Sequence, residues 1–212
     1  MRSVLIAVSM LLVLLACSKE ADKTGADQVA RDKMEVEAQS AAISVIQQYS
    51  AQLKAELRKA MVEGGPEYAI QVCGQKAPEL AAKFSKEGVL GIRRVSDKAR
   101  NPKDAADSVQ LAILKEFATI PKGTDLSKGI WHNRKGGEWY SYHSGIRTEL
   151  MCLGCHGQAD QLAKGVPEAL AKFYPDDAAT GYAPGDIRGM FVVDMKWPEA
   201  KVWVESLKTD SL

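Results

Sequence analysis

Cys152-Leu153-Gly154-Cys155-His156 is the stretch of this 212-residue chain whose residue types and spacing specify chemistry most directly. Two thiols three residues apart, followed at once by a histidine, form C-x-x-C-H, the attachment pattern of a c-type haem. The spacing has a physical cause: the two thiols bond to the two vinyl-derived positions of the macrocycle, and the next side chain is then held where its ring nitrogen reaches the iron. Cys152 and Cys155 are the expected attachment points of one covalent haem c, and His156 is its expected proximal ligand. Other chemistry uses the same residue types. A structural zinc site wants a fourth ligand and usually a second cysteine pair, which the sequence lacks. A thioredoxin-type dithiol wants a strand–CxxC–helix setting, which the hairpin expected upstream does not supply. A Cys152–Cys155 disulfide remains for a chain that never receives haem.

The group opposite His156 decides what such an iron does. Of the four cysteines, Cys73 is left over once Cys152, Cys155 and an N-terminal Cys17 are assigned. Two readings of Cys73 stand at this point: a buried core cysteine on the apolar stripe of its helix, or an iron ligand. His132 and His143 on the expected hairpin, and Met151, Met190 and Met195, are further distal candidates. Arg93, Arg94 and Arg100 are a third feature, because guanidinium pairs with carboxylates such as haem propionates. Strand alternation puts Arg93 and Arg94 on opposite faces, so at most one of them points inward.

The N-terminus reads as an address. Arg2 precedes the apolar run Val4–Ala16, interrupted by Ser9 and short for a membrane span. It ends Leu14-Leu15-Ala16-Cys17, which resembles a bacterial lipobox, so residues 1–16 are expected to be a signal peptide and Cys17 to carry lipid. Residues 17–33 read as a flexible tether and 34–212 as the haem-binding domain. Ser18 in place of an acidic retention residue favours the outer membrane, on the periplasmic side. Lys+Arg is 28 and Asp+Glu 27; that balance gives no ground for nucleic acid as a partner. With 46% hydrophobic and 26% charged residues, the chain is too apolar to be disordered.

The elements that must position these groups follow from periodicity. A long helix is expected from about Asp32 to Glu63, with Val36, Ile43, Ile46, Ser50, Leu53 and Leu57 on one stripe and Gly64-Gly65 as its stop. Pro66 suits the first turn of a second helix carrying Ala69, Val72, Cys73, Ala77, Leu80 and Phe84. A strand over 91–96 follows, then a helix capped by Asp104 or Asp107 and running through Phe117. A hairpin (129–133 and 138–144), a helix near 160–173, a strand over 187–195 and a closing helix over 198–207 complete an α+β domain.

The runs Cys73-Gly74-Gln75-Lys76-Ala77-Pro78, Gly91-Ile92-Arg93-Arg94-Val95-Ser96 and Arg100-Asn101-Pro102, followed by Cys152-Leu153-Gly154-Cys155-His156-Gly157 and Gly185-Asp186-Ile187-Arg188-Gly189, resemble a bacterial family of small c-type haem domains long filed as a domain of unknown function. The likeness covers roughly 40–195. Asp104, Ala106 and Val109-Gln110 depart from the residues common in the family. The resemblance implies a PAS-like antiparallel sheet with a long N-terminal helix and flanking helices. It also implies iron held between His156 and Cys73, and a place as a solitary periplasmic domain or as the sensing part of histidine kinases and chemoreceptors. The function expected is a lipid-anchored periplasmic monohaem cytochrome for one-electron transfer or redox sensing, working through a redox or signalling protein. Two alternatives are a gas sensor in which Cys73 leaves the iron on reduction and, behind it, a sulfur-compound oxidoreductase.

Overall fold

The computed structural model describes residues 2–134 and 136–209, with side chains placed from 25 to 134 and 136 to 207. The side chains of the expected signal segment 1–16 and of Cys17 lie outside the described residues. The chain divides into two compact units, 1–40 and 41–212. In the first, the described backbone is helix, part of α1 (Arg2–Phe84). The stretch 19–33, expected to be aperiodic, is therefore helical; it holds no proline and is rich in Ala, Lys, Glu, Asp and Gln, most of them compatible with a helix. Among the described residues no helix is long and apolar enough to cross a membrane.

The second unit takes up α1, which consists of two helical segments. Gly65 sits at φ 70°, ψ −166° between them, a conformation open to glycine because it lacks a Cβ, and Pro66 then opens the second segment. The buried stripe of the first segment differs in phase from the expected one. Ala42, Val45, Ile46, Tyr49 and Leu53 are buried, whereas Ile43 is 36% and Val36 65% exposed. Ala42 lets the helix approach its neighbours closely, so a small residue shares the packed face with Val45, Ile46, Tyr49 and Leu53.

After α1 come β1 (Leu90–Val95), α2 (Ser108–Thr119), β2 (Ser127–Arg134), β3 (Gly137–Arg147), α3 (Leu153–His156), α4 (Val166–Phe173), β4 (Ile187–Trp197) and α5 (Glu199–Thr209). The strands make one antiparallel sheet in the order β1-β4-β3-β2. This is the expected α+β class. Asp107 caps α2 by accepting from the Gln110 N–H at 2.9 Å, while Gln110 accepts from the Asp107 N–H at 3.1 Å, a reciprocal cap.

The register sorts the two faces of the sheet. Leu90, Ile92 and Arg94 align through Met195, Val193 and Phe191 with Tyr140, Tyr142 and Ser144. On that face Tyr49 of α1 meets Phe84 and Phe191 edge-on, at ring-centroid distances of 6.3 and 6.0 Å. On the other face Val95, Met190 and Val192 pack with Ile113, Leu114, Phe117 and Leu126. That second core closes one end of the face and leaves the other end to Arg93, Asp194, Ser141 and Trp139.

Candidate functional site

The C-x-x-C-H run begins as a single 3₁₀ turn, Leu150–Cys152, and continues as the short helix α3. Residues three apart on a helix share a face, so Cys152 and Cys155 stand side by side and His156 follows at the helix end. A small apolar cluster holds this turn: Ile70 of α1 with Val166, Ala169 and Leu170 of α4, against which Cys155 and Tyr174 pack. Gly74 lies under Tyr174, and a Cβ there would collide with the Tyr174 hydroxyl. The glycine beside Cys73 thus allows the chain after α4 to lie close against α1.

His156 has a defined tautomer. Its Nδ1 lies 2.7 Å from the Ala179 carbonyl oxygen, so Nδ1 carries the proton and donates it there. Nε2 is left as an unprotonated lone pair, the form that ligates metals. Burial, together with the guanidiniums of Arg188 and Arg100, pushes the imidazole down to about 3. Arg188 Nε and Arg100 Nη2 lie 3.3 and 3.4 Å from Nδ1. The Tyr182 N–H donates to the His156 carbonyl at 3.0 Å, and the two rings meet at 90° with centroids 6.4 Å apart.

Cys73, Cys152 and Cys155 are all free thiols. Burial raises the Cys73 thiol above its ordinary range; Arg94 and Arg100 oppose that rise, and Cys155 adds to it. Cys155 is likewise raised by burial and drawn down by Arg100. The α1 cysteine and the C-x-x-C-H turn therefore sense one common cation, Arg100, although 79 positions separate Cys73 from Cys152.

The structure separates the three sequence-picked arginines. Arg100 forms a forked pair with Asp177, Nε–Oδ1 3.1 Å and Nη2–Oδ2 3.2 Å, and donates to the Cys155 carbonyl at 2.7 Å. Arg94 acts electrostatically on the Tyr49 hydroxyl, which donates to the Ala77 carbonyl at 3.4 Å, and on Cys73. Arg93 points to the other face, where it pairs with Asp194 at 2.9 Å; the alternation of β1 takes it away from the thiols. Arg188, at the start of β4, was not among the sequence candidates. It bonds Ser96 Oγ at 3.1 Å, and its guanidinium carbon lies 5.4 Å from the Tyr182 ring centre. Its signal was present in Gly185-Asp186-Ile187-Arg188-Gly189, but nothing local marks that arginine as inward-facing. Among the described residues no carboxylate lies within ion-pair distance of Arg94 or Arg188.

The other distal candidates have different surroundings. Met190 and Met195 are fully buried in the two cores. His143 is buried, with Nδ1 3.2 Å from the Lys128 carbonyl. His132 stands on edge strand β2 opposite Trp139, and Met151 is 61% exposed. Among the described residues no group of three or more His, Cys, Asp or Glu side chains has the arrangement of a self-contained metal site.

Comparison with known proteins adds two matches. The sequence model of a family described as Tll0287-like matches residues 24–196. The fold is similar to the crystal structure of the cyanobacterial heme-protein Tll0287, with TM-score 0.51 and 24% identity over 74% of this chain and 94% of that one. At that identity the likeness concerns the fold alone. No curated protein matches the chain.

Proposed function

The chain belongs to the Tll0287-like family, and from that premise we propose that it is a haem protein carrying one covalent haem c for one-electron transfer or redox sensing. One observation carries the reading: three thiols and a neutral imidazole with a free Nε2 gather beside Arg100, which is paired with Asp177, and beside Arg94 and Arg188, which among the described residues have no carboxylate within ion-pair distance. That donor set fits an iron porphyrin. Cys152 and Cys155 would hold the group covalently, each thiol adding S–H across a vinyl C=C with no atom lost. His156, held by the Ala179 carbonyl, ligates through Nε2. Cys73 would hold the iron as a second protein ligand, and Arg94 and Arg100 would favour its thiolate form. Arg94 and Arg188 supply the counter-charge for the propionates. The bound group supplies one-electron redox chemistry, and a thiolate ligand favours the ferric form and hence a low potential. With His156 and Cys73 both engaged by the group, the site would favour electron transfer over gas binding or turnover.

In this reading the chain is secreted and tethered through lipid on Cys17 at the periplasmic side of the membrane, the outer membrane by preference. It exchanges electrons or signals with another periplasmic protein. The test is an optical and EPR spectrum of protein matured in a host with c-type haem assembly. We expect a low-spin ferric species whose spectrum shifts, with a raised potential, in Cys73→Ala. An unchanged spectrum in that variant removes Cys73 as ligand.

A further inference from the structure

A groove of about 600 Å³ lies between the C-terminal half of α2, the loop after it and the segment 181–187. Leu114, Ile120, Ile187 and the Tyr182 ring give it apolar walls. Lys98, Lys115, Lys122 and Arg147 also line it, and among the described residues none of these four is ion-paired with a carboxylate. Three of them are held in place by backbone carbonyls: Lys98 Nζ donates to Thr180 at 2.7 Å and Lys122 Nζ to Pro184 at 2.7 Å. Arg147 donates to Gly185, Ile120 and Pro121 at 3.0, 2.8 and 3.0 Å. Those bonds fix the donors without cancelling their charge. The two lining carboxylates are engaged by backbone, Asp97 by the Lys98 N–H and Asp186 by the Ala183 N–H. Backbone bonds leave the carboxylates charged as well, so four cations against two carboxylates put positive charge in excess around a groove of mixed polar and apolar lining, whose volume lies in the range of small-molecule sites, roughly 300–1,000 Å³.

We propose that this groove binds a small amphipathic anion, a carboxylate carried on an apolar ring, and that its occupancy is felt at His156. The ring packs against Leu114, Ile187 and Tyr182, and the carboxylate faces the lysines. A concave site of this size suits a small molecule better than the flat surface of a protein partner. The route to His156 is the segment 179–182. Ala179 accepts the imidazole proton, Tyr182 donates to the His156 carbonyl, and Gly181 donates to the Gly157 carbonyl at 2.8 Å. The same segment forms the groove wall, and Lys98 is bonded to its Thr180 carbonyl, with its ammonium 4.6 Å from the Tyr182 ring centre. An anion that draws Lys98 towards itself loosens the wall that orients the imidazole. This second half of the proposal rests on the haem reading; binding in the groove does not.

The test is calorimetry on the full mature protein with 1-naphthoate and its neutral counterpart 1-naphthamide, alongside the visible spectrum. We expect saturable one-to-one binding of naphthoate and at least about tenfold weaker binding of the amide. Lys115→Gln with Lys122→Gln is expected to weaken naphthoate binding about tenfold, whereas Arg93→Gln, on the other part of the sheet, leaves it unchanged. Equal affinity for the acid and the amide, or indifference to the lysine pair, overturns the anion site. A chain that ignores naphthoate but binds a polyglutamate peptide assigns the rim to an acidic protein and also overturns it. Binding with an unmoved haem band overturns the coupling alone. Binding by a colourless protein supports the groove while the haem reading fails.

Discussion

Arg93 and Arg94 are neighbours in sequence and lie in opposite electrostatic situations. Arg93 faces the end of the sheet where Asp194 pairs with it at 2.9 Å and with Arg134 at 3.4 Å, and where the Ser141 hydroxyl also donates to Asp194. That cluster contains its own anion. Arg94 faces Cys73 and, like half-buried Arg188, has no carboxylate in ion-pair reach among the described residues, although Asp104 senses both at longer range. Burying a cation without a counter-charge is costly. In the proposed reading, these two cations are what the carboxylates of a bound group would meet. The difference between the regions lies in whether a protein carboxylate stands within ion-pair reach.

The strongest test of that contrast lies within the site, at its one protein-balanced cation. The side chains of Arg100 and Asp177 are 13% and 7% exposed, so Asp177→Asn leaves a guanidinium buried beside two others. It should destabilise the haem-free chain by about 3 kcal/mol, read by urea denaturation. Arg188→Met should do the reverse in haem-free protein, leaving stability unchanged or raised because a half-buried charge with no ion-pair partner is removed. In protein matured with haem it should lower the fraction carrying the group. Loss of stability in the haem-free variant with unchanged haem content would make Arg188 a structural residue like Arg100.

The smallest effect belongs to the self-balanced cluster. Burial pushes the Asp194 carboxyl up, but the Ser141 hydroxyl and the Arg93 and Arg134 guanidiniums outweigh it and leave it below the ordinary value. A carboxyl depressed by folding stabilises the fold fully above its unfolded value, near 3.9, and the contribution is lost as pH falls through the folded value. Asp194→Asn should therefore cost about 1 kcal/mol near neutrality, discounted because Arg93 and Arg134 are half-exposed. It should also flatten the acid limb of the stability–pH curve. An unchanged limb would show that the cluster contributes nothing.

Local chemistry explains which parts of this architecture were legible in the sequence. The α2 start was readable because Asp107 and Gln110 cap each other with adjacent backbone. The break in α1 was readable because Gly64-Gly65-Pro66 is incompatible with an uninterrupted helix. The phase of α1 was not, since Ala42 is buried while Ile43 is partly exposed, and only the sheet decides which face closes. The C-x-x-C-H turn announces itself in five residues. Arg188, Asp177 and Ala179 reach His156 or its neighbours only through the tertiary fold, and no spacing rule finds them. The opposite orientations of Arg93 and Arg94 followed from strand alternation, but which one faces the thiols needed the register of β1 on β4.

The central claim is the covalent group on Cys152 and Cys155, and acid–acetone extraction of protein from a host competent in c-type haem assembly tests it most directly. The account predicts that the colour stays with the polypeptide and is lost when both cysteines are changed to alanine. A polypeptide left colourless, or colour that survives the double substitution, contradicts it.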